Sequence, residues 1–316
     1  MKCRICNNEN SNIEYDVREL FYGTKDTFRY FQCSECNCLQ ISEYPTDLSK
    51  YYPRNYYSYV KSTKSYKIKT FLNNLRNNYA IFGEGFVGKL LNTIRANCSF
   101  QILKPLTLRK DMKILEIGCG SGLFLRALSE LGFKNLLGVD PFIEKDIEVG
   151  NGLKIIKSEI GDVKGEWDII IFQHSFEHMP FQENTLQTVS SLLSSNGHCV
   201  ISIPISSSYA WEHYGVNWVQ LDAPRHFYLH SVKSMNYLAT KAQLELCNIT
   251  YNSNTLQFLG SEQYMKDISL LDKCSYRNGI KDSIFTKRQI SDFTRQAKIL
   301  NETQKGDQAI FYLRKP

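Results

Sequence analysis

The sequence predicts an α/β fold with a mostly parallel sheet, preceded by a small module that a metal ion holds together. Three observations predict it: paired cysteines near the start, a basic stretch rich in tyrosine, and short apolar runs separated by helix-length segments. We therefore expect a cysteine module at residues 1–45, a helical connector at residues 46–110 and an α/β domain at residues 111–316. Insertions are expected in that domain at about residues 204–230 and 254–306.

Composition excludes several other classes of protein. The 316 residues are 42% hydrophobic and 13% aromatic, with 18 Gly and 8 Pro, which is typical of a globular chain and not of a collagenous or disordered one. No apolar run approaches the roughly 20 residues that span a bilayer, and Met1–Asn7 lacks the apolar stretch of a secretion signal. We therefore expect a cytoplasmic protein whose ten cysteines bind metal or lie buried instead of forming disulfides.

The cysteines of the first module form two C-x-x-C pairs, Cys3 with Cys6 and Cys33 with Cys36. Each pair places two thiolates on one tight turn, and two such turns complete a tetrahedral zinc site. A segment of this length buries too little apolar surface to fold alone, so the metal would stabilise it. Cys38 is a competing ligand, but Cys36 has the better spacing. The alternative is a set of buried or redox-active thiols.

The connector concentrates positive charge. From Ser49 to Lys113 the chain has 13 Lys and Arg residues against two acids, Glu84 and Asp111, whereas the whole chain has a net charge of +6. This concentration favours an anionic partner: a phosphorylated small molecule, nucleic acid or a lipid surface. A solvated set of helical faces is the alternative.

One pattern in the connector is expected to carry no function. Gly83-x-Gly85-x-x-Gly88 matches a dinucleotide-binding pattern, but it lies in a helical, Asn-rich region and no acid follows at ribose distance. We therefore predict a break between two helices, with the second beginning near Phe86.

Seven apolar runs are the predicted strands of the sheet. They are Lys113–Ile117, Leu136–Val139, Lys154–Ile156, Asp168–Phe172, Cys199–Ile203, Leu246–Tyr251 and Ala309–Leu313. A helix is predicted at Lys287–Leu300, before the last strand.

The first of these strands leads into a glycine-rich turn and then a helix. The turn contains Gly118, Gly120 and Gly122 and follows Glu116, and Asp140 ends the next strand, 22 residues after Gly118. Glycines let the backbone approach a ligand, and the amino end of the helix favours negative charge. A carboxylate at the end of the second strand can accept hydrogen bonds from both hydroxyls of a ribose. Together these features predict a site for an adenosine-containing ligand.

This stretch resembles the first motif, E-x-G-x-G-x-G, of the class I S-adenosylmethionine-dependent methyltransferases. The resemblance covers about residues 110–316 and implies a Rossmann-like, seven-stranded, mostly parallel sheet with an antiparallel last strand, and S-adenosylmethionine as cofactor. It also implies adenine contacts from Ser158 and Glu159 after the third strand. Contacts to the methionine portion would come from Gln173 and His174 after the fourth.

The fourth strand runs directly into His174-Ser-Phe-Glu177-His178, at the edge where open α/β sheets bind ligands. In one interpretation His178 is a general base, polarised by Glu177, that takes a proton from a substrate hydroxyl. In a second, these side chains and His226 hold a divalent metal, which is similar to the E-x-x-E-H and distant His of ubiquinone-pathway and small-RNA O-methyltransferases. The departure is His174, where those families have Glu. In a third, Glu177 and His178 only cap the following loop.

The segment after the fifth strand is rich in aromatic residues. Trp211, Tyr214 and Trp218 would stack on a sugar or base ring, and Arg225 would clamp a phosphate. The alternative is a packed lid without substrate contact. Ser231 is expected to cap the helix that follows.

Four features follow one another along the chain: the cysteine pairs, the Tyr-Tyr-Ser-Tyr connector, the methyltransferase motif and Pro224-Arg225-His226. Their order resembles that in bacterial zinc-ribbon methyltransferases of surface-polysaccharide and deoxysugar pathways. The resemblance implies structural zinc and a sugar-containing small-molecule substrate, and the basic connector would attract an anionic one. Tyr56 and Tyr57 are expected to fold over the methionine carboxylate of the cofactor, with ordinary aromatic packing as the alternative. Related sugar C-methyltransferases carry a further large domain, and this sequence ends at its seventh predicted strand, so we expect methylation of oxygen. An RNA methyltransferase and a non-catalytic cofactor-binding scaffold are the alternatives. Peripheral membrane contact is compatible with the basic connector.

Overall fold

The computed structural model describes residues 1–52, 67–94 and 98–316. The strands are β1 (Ile13–Arg18), β2 (Thr27–Gln32), β3 (Leu39–Ile41), β4 (Lys113–Ile117), β5 (Asn135–Val139), β6 (Ile147–Gly150), β7 (Leu153–Ile156), β8 (Trp167–Gln173), β9 (Leu193–Pro204), β10 (Tyr228–Leu229), β11 (Glu245–Tyr251) and β12 (Gln308–Arg314). The α-helices are α1 (Lys67–Phe82), α2 (Phe86–Ile94), α3 (Leu123–Glu130), α4 (Gln182–Leu192), α5 (Tyr209–Tyr214), α6 (Val232–Lys241), α7 (Leu256–Met265) and α8 (Lys287–Glu302). None of these helices is both long and apolar enough to cross a membrane.

The chain forms two compact units. The first consists of Met1–Pro53, Phe176–Leu186 and Ile203–Phe311, and the second of Arg54–Ser175, Gln187–Ser202 and Tyr312–Pro316. This division differs from the predicted boundaries at residues 45 and 110. The physical reason is that the cysteine module does not close its own sheet: β3 pairs with β10, which belongs to the predicted insertion at residues 204–230.

The smaller sheet belongs to the first unit. Its order is β1-β2-β3-β10, and every neighbouring pair is antiparallel. The two C-x-x-C turns share one backbone conformation, because Asn7 and Asn37, which follow the second cysteine of each pair, both have a left-handed φ of about 60°. The N–H of Asn7 donates to Cys3 O at 3.0 Å, and that of Asn37 to Cys33 O at 2.9 Å. The repeated Cys-x-x-Cys-Asn sequence therefore encodes two equivalent turns.

The larger sheet has eight strands in the order β11-β12-β9-β8-β4-β5-β7-β6. Strand β4 runs parallel to both β5 and β8, and the pairs β5–β7 and β8–β9 are also parallel. All seven predicted strands are present, which confirms the mostly parallel α/β fold. Because parallel strands end at the same edge, the segments after β4, β5, β7 and β8 emerge together.

Strand β6 is the eighth strand and was not predicted. It is antiparallel to β7, and the two residues between them, Asn151 and Gly152, both have a positive φ (52° and 79°). An Asn-Gly pair with this geometry is the preferred two-residue hairpin turn. The sequence therefore carries a signal for this hairpin, but the strand is four residues long and half exposed, so its apolar pattern is weak.

The connector contains α1 and α2 as predicted helices. Helix α1 ends at Phe82 and α2 begins at Phe86, so the glycines between them form the predicted break. After α2, residues 98–103 form a short 3-10 helix, in which Phe100 and Ile102 are buried. The Tyr312 hydroxyl donates to Ile102 O at 3.0 Å and fixes this segment within the second unit.

Two helices begin with a capping box, and the one at Ser231 confirms the predicted cap. The Ser231 hydroxyl accepts from the Ser234 N–H at the start of α6. Thr286 and Gln289 form the same reciprocal arrangement at the start of α8. Helix α8 lies where a helix was predicted before the last strand.

Candidate functional site

The glycine loop, residues 118–122, joins β4 to α3 in the second unit. Gly118, Gly120 and Gly122 have φ values of 73°, 51° and 72°, a region that residues with a side chain rarely adopt. A Cβ on Gly118 would lie 2.4 Å from the Cβ of Ser175, and one on Gly122 would lie 2.1 Å from Ile155 Cδ1. The loop therefore needs glycine both for its conformation and for the space beside it.

Asp140 ends β5 and turns its carboxylate towards this loop. One carboxylate oxygen accepts from the Gly120 N–H at 2.9 Å, and the other accepts from the Phe142 N–H at 2.8 Å. Each oxygen keeps a lone pair, because a carboxylate accepts about four hydrogen bonds. The backbone thus orients the carboxylate and leaves acceptor capacity for a diol.

Two buried polar atoms at the ends of neighbouring strands have no hydrogen-bond partner among the described residues. They are Glu116 Oε2 on β4 and Gln173 Oε1 on β8. Burial, together with the nearby charge of Asp140, raises the pKa of Glu116 to about 8. Buried polar groups in folded proteins are nearly always paired, so such atoms indicate a place for a ligand that donates hydrogen bonds.

The remaining predicted cofactor residues also follow strand ends of the second unit. Ser158 and Glu159 come after β7, with the Ser158 hydroxyl donating to Glu159 O at 3.2 Å. His174 comes after β8, is exposed, and has a φ of 53°. Its N–H donates to Ser202 O at 2.9 Å. Tyr56 and Tyr57 lie outside the described residues.

The cysteine cluster, Cys3, Cys6, Cys33 and Cys36, brings four sulfur atoms within 4.8 Å of one another. The Sγ atoms of Cys3 and Cys36 are 3.6 Å apart and those of Cys6 and Cys33 are 3.4 Å apart. Four sulfurs at about 2.3 Å from a tetrahedral zinc ion are separated by roughly 3.8 Å, so the donor set and its spacing suit zinc.

Neighbouring polar groups favour a thiolate at Cys3, one of the four cysteines of this cluster. Gln40 donates its amide to Cys3 Sγ at 3.0 Å, and the Ile5 N–H donates to the same sulfur at 3.4 Å. The hydrogen bond from Cys36 is the largest cause that lowers the pKa of Cys3, to about 5. Cys38 does not belong to the cluster; its sulfur lies 4.0 Å from His230 Nδ1. The predicted preference for Cys36 over Cys38 is therefore consistent with the positions of the sulfurs.

A second group in the first unit consists of Glu177, His178 and His226, hereafter the histidine cluster. One ligand atom from each of the three lies within 4.8 Å of the others. His178 Nδ1 lies 2.8 Å from Arg225 O, and His226 Nδ1 lies 2.7 Å from Gln220 O. A carbonyl oxygen only accepts, so both Nδ1 atoms carry a proton, and in the neutral form of either ring the lone pair is on Nε2.

Charged neighbours hold the histidine cluster in place. His226 Nε2 lies 3.9 Å from Glu177 Oε1 and 3.6 Å from Asp222 Oδ2. Burial, assisted by His178, lowers the pKa of His226 to about 4, so the ring is neutral near pH 7. Burial alone would raise the pKa of Asp222, but the charge and hydrogen bonds of Arg225 together with the two neighbouring histidines outweigh it, and the pKa of this carboxyl is lowered.

Two neighbours of this cluster had no predicted role. Asp222 forms a buried two-point salt bridge with Arg225, and the Tyr52 hydroxyl lies 3.1 Å from His178 Nδ1. The spacing Asp222-x-x-Arg225-His226 was the available signal for the first. The contact that orients His178 comes from the Arg225 carbonyl, whereas the sequence predicted that Glu177 would polarise this ring.

The predicted substrate-binding residues lie in the interior of the first unit. Trp211, Tyr214 and Trp218 are buried, and their polar atoms contact Gln32, Glu262 and Asp307 respectively. Arg225 is only 1% exposed, and its guanidinium lies 4.0 Å from the Phe21 ring centroid. A buried guanidinium that is already paired with Asp222 is not placed to clamp a phosphate. These positions favour the alternative of a packed lid.

A family profile described as a methyltransferase domain matches residues 91–249, just over half of the chain. The chain belongs to this methyltransferase family. No curated protein matches its sequence.

Solved structures similar to this methyltransferase share little sequence with it. The cyclopropane synthase MmaA2 from Mycobacterium tuberculosis is 16% identical, with 68% of this chain and 82% of that chain covered and a TM-score of 0.44. An S-adenosylmethionine-dependent methyltransferase from Mesorhizobium loti is 13% identical, with coverage of 69% and 98% and a TM-score of 0.44. The 1,6-didemethyltoxoflavin-N1-methyltransferase from Burkholderia thailandensis is 12% identical, with coverage of 81% and 93% and a TM-score of 0.41.

For this methyltransferase, the residues around the glycine loop fit S-adenosylmethionine. Asp140 offers acceptor capacity for a ribose, and Glu116 Oε2 is a buried carboxyl oxygen without a partner among the described residues. The glycines keep the backbone clear of side chains at the turn. Family membership thus supports methyl transfer from S-adenosylmethionine, and the second unit holds the residues suited to that cofactor.

Proposed function

We propose that this methyltransferase transfers a methyl group to a hydroxyl of an anionic, sugar-containing small molecule, with His178 as general base. The observation that carries the proposal is the fixed tautomer of His178. Its Nδ1–H is committed to the Arg225 carbonyl, so Nε2 presents a lone pair from a ring that is only partly buried. A neutral imidazole held in this way is suited to accept a proton from a hydroxyl.

When bound, S-adenosylmethionine supplies a methyl group that is electrophilic because it is attached to a sulfonium ion. Glu116, Asp140 and the glycine loop would bind and orient this cofactor. In the reaction, the bond between the acceptor oxygen and the methyl carbon would form as the carbon–sulfur bond of the cofactor breaks and S-adenosylhomocysteine leaves. His178 Nε2 would take the hydroxyl proton, and the Arg225 carbonyl would accept the hydrogen bond of the resulting imidazolium. Positioning of the two reactants would contribute much of the rate. His226 is assigned to the same site as a neighbour of that ring, with 4.7 Å between the two ring centroids.

The class of acceptor is inferred from charge and from the resemblance given above. The stretch from Ser49 to Lys113 has 13 basic residues against two acids, which attracts a phosphorylated or pyrophosphate-linked acceptor. The same charge suits RNA, which is the competing acceptor. Because free thiols and a zinc-thiolate site persist in a reducing compartment, a cytoplasmic location is part of this proposal.

A label-transfer experiment tests this function. The purified full chain is incubated with methyl-labelled S-adenosylmethionine and an extract of the native host cells, and the products are separated into RNA, protein, nucleotide-sugar and lipid or polysaccharide fractions. We expect label in a sugar-containing fraction, its loss with Asp140→Ala, and a decrease of about 10²–10⁴-fold in kcat with His178→Gln. The exposed His213 provides the matched control, since His213→Gln should leave the rate unchanged. Label in RNA would overturn the acceptor, and absence of label would favour the non-catalytic scaffold.

We further propose that the cysteine cluster holds a structural zinc ion. All four sulfurs come from the two C-x-x-C turns, and four cysteine ligands leave no coordination position open for chemistry. Metal analysis should find zinc bound to the wild-type chain and absent from Cys33→Ser, with faster hydrogen exchange in β1–β3. The exposed Cys247 is the control, because Cys247→Ser should keep the zinc. Full zinc content in Cys33→Ser would contradict the assignment.

A further inference from the structure

A groove of about 470 Å³ lies at the amino edge of the larger sheet, within the second unit. Its volume is within the range of roughly 300–1,000 Å³ that is usual for small-molecule sites. Four of the residues that line this amino-edge groove are the first residues of β4, β5, β7 and β8: Lys113, Asn135, Leu153 and Trp167. These strands are parallel, and the glycine loop and Asp140 follow their carboxyl ends. The groove and the cofactor residues therefore lie at opposite edges of the sheet.

The amino-edge groove has an excess of positive charge. Its charged lining residues are three lysines and one acid: Lys113, Lys134, Lys154 and Glu148. None of these side chains forms an ion pair with any residue that the structure describes. The nearby Asp168 is outside the lining, and its two oxygens accept hydrogen bonds from the Lys113 N–H at 2.8 Å and the Ser194 hydroxyl at 3.1 Å. Unpaired lysines that converge on one groove favour an anion.

The other part of the lining is apolar and contains an indole N–H without an acceptor. Three leucines line the groove beside Trp167: Leu136, Leu137 and Leu153. The Nε1–H of Trp167 is buried and has no hydrogen-bond partner among the described residues. The indoles of the first unit are paired, since Trp211 donates to Gln32 and Trp218 donates to Asp307. Buried N–H groups are nearly always paired, so Trp167 indicates a ligand with an acceptor atom.

The hairpin of β6 and β7, which was not predicted, forms one wall of the groove. It contributes Glu148 from β6 and Lys154 from β7, which are neighbours in the antiparallel register. Its turn lies close to the residue that precedes β5, because a Cβ on Gly152 would lie 1.7 Å from Lys134 O. Glycine at this position thus lets the hairpin bring its charged side chains beside Lys134.

We propose that the amino-edge groove binds a small organic anion with an apolar body, such as an aromatic sulfonate, phosphate or carboxylate. The lysines would contact the anionic group, and the leucines and the indole would contact the apolar body. An acceptor atom of the ligand would satisfy the Nε1–H of Trp167. The five residues of β4 separate this site from the glycine loop by roughly 16 Å, so its ligand is bound in addition to the cofactor.

Heteronuclear NMR of the full chain tests the site at a single atom. The three tryptophans give three indole N–H resonances, and Trp167→Phe assigns the one from the groove. The probe is anilinonaphthalene sulfonate, which joins a sulfonate to an aromatic body. We expect the Trp167 resonance to shift during the titration, and those of Trp211 and Trp218, which already have acceptors, to stay in place.

Charge variants test the lining of the groove. Lys134→Gln and Lys154→Gln should each weaken binding of the probe by about threefold, and Glu148→Gln should strengthen it by a similar factor. The matched control is Lys157→Gln, because Lys157 is exposed and follows the opposite end of β7, outside the lining. All four substituted side chains are exposed, so the variants should keep the fold.

Two further probes separate the charge of the ligand from its apolar body. Inorganic phosphate has only the charge, and neutral phenylnaphthylamine has only the aromatic body, so both should bind more weakly than the sulfonate. A Trp167 resonance that does not move at millimolar sulfonate would overturn the site. Equal weakening in Lys157→Gln would mean general attraction to a basic surface, and equal binding of phenylnaphthylamine would mean that no anion is recognised. Either result would also contradict the proposal.

Discussion

The glycine loop of the second unit and the histidine cluster of the first both lie beside a buried carboxyl group. The two carboxyls differ in their hydrogen-bond partners and in the direction in which their pKa values are shifted. Asp222 is paired with Arg225, and its pKa is lowered. Glu116 has an oxygen without a hydrogen-bond partner among the described residues, and its pKa is raised to about 8. One carboxyl is satisfied within the chain, whereas the other is left for something that binds.

The two carboxyls therefore have different roles: Asp222 stabilises the turn beside the histidine cluster, whereas Glu116 is available to a ligand. The Asp222–Arg225 pair holds the turn whose Arg225 carbonyl orients His178, so the cluster is rigid before any ligand arrives. Beside the glycine loop, Glu116 and Gln173 each have a buried oxygen that no described residue pairs with, which destabilises the cofactor-free protein. Ligand binding would remove that cost. The contrast makes three predictions, beginning with the largest effect.

Asp222→Asn should destabilise the protein by about 3–5 kcal/mol, because it leaves the Arg225 guanidinium buried without its counter-charge. Asn tolerates the left-handed φ of 46° at this position, so the substitution isolates the charge from the backbone conformation. Denaturant unfolding measures the change. The matched control is Asp292→Asn, because Asp292 and Arg295 form a pair with the same spacing on an exposed helix face. That pair should contribute less than about 1 kcal/mol, and equal losses in the two variants would contradict the comparison.

Local sequence patterns predicted the parts of both regions that depend on neighbouring residues. The C-x-x-C pairs, the glycine loop and the carboxylate after β5 each lie within one turn or at one strand end, where spacing fixes geometry. The glycines between α1 and α2 could be distinguished from the glycine loop by sequence, because no apolar strand precedes them. The buried strands were also predictable, because their sequences are near-continuous apolar runs.

Features that depend on distant residues were not predictable in the same way. Strand β10 is two residues long and owes its existence to pairing with β3, almost 190 positions earlier. Arg225, Trp211 and Trp218 have side chains equally suited to a substrate or to the interior, and only packing decides between them. The partner of His178 Nδ1 is a backbone carbonyl, and every residue has one, so the residue type does not indicate which carbonyl it is.

Glu116→Gln should make the cofactor-free protein more stable at pH 8 and leave its stability unchanged at pH 4.5. The folded pKa of about 8 lies above the ordinary value of 4.5, so the folded protein holds a proton that the unfolded chain releases in this range. Wild-type stability is therefore lost as pH rises from 4.5 through 8, by up to about 1.4 kcal/mol per pH unit. Glutamine does not titrate, and thermal melts of both proteins across this range measure the difference.

The same variant should bind S-adenosylmethionine more weakly above about pH 8, where the wild-type carboxyl is ionised, since the amide removes that negative charge from the site. A gain in stability together with a loss of affinity is expected of a side chain whose role is to bind the ligand. If Glu116→Gln were destabilising at pH 8, the carboxylate would have a partner within the chain, and the contrast with Asp222 would fail.

Gly122→Ala tests the smallest effect, and Gly85→Ala is its matched control within the second unit. Both glycines have a positive φ, 72° and 94°, so each alanine should cost about 1–2 kcal/mol of stability through backbone strain. They differ in their surroundings: a Cβ on Gly85 would meet no atom of the described residues within 4 Å, whereas one on Gly122 would lie 2.1 Å from Ile155 Cδ1. Isothermal calorimetry with S-adenosylmethionine should find weaker binding only for Gly122→Ala. Weaker binding in both variants would mean that the glycines of the helix break also contribute to the cofactor site, and equal binding in both would remove the glycine loop from it.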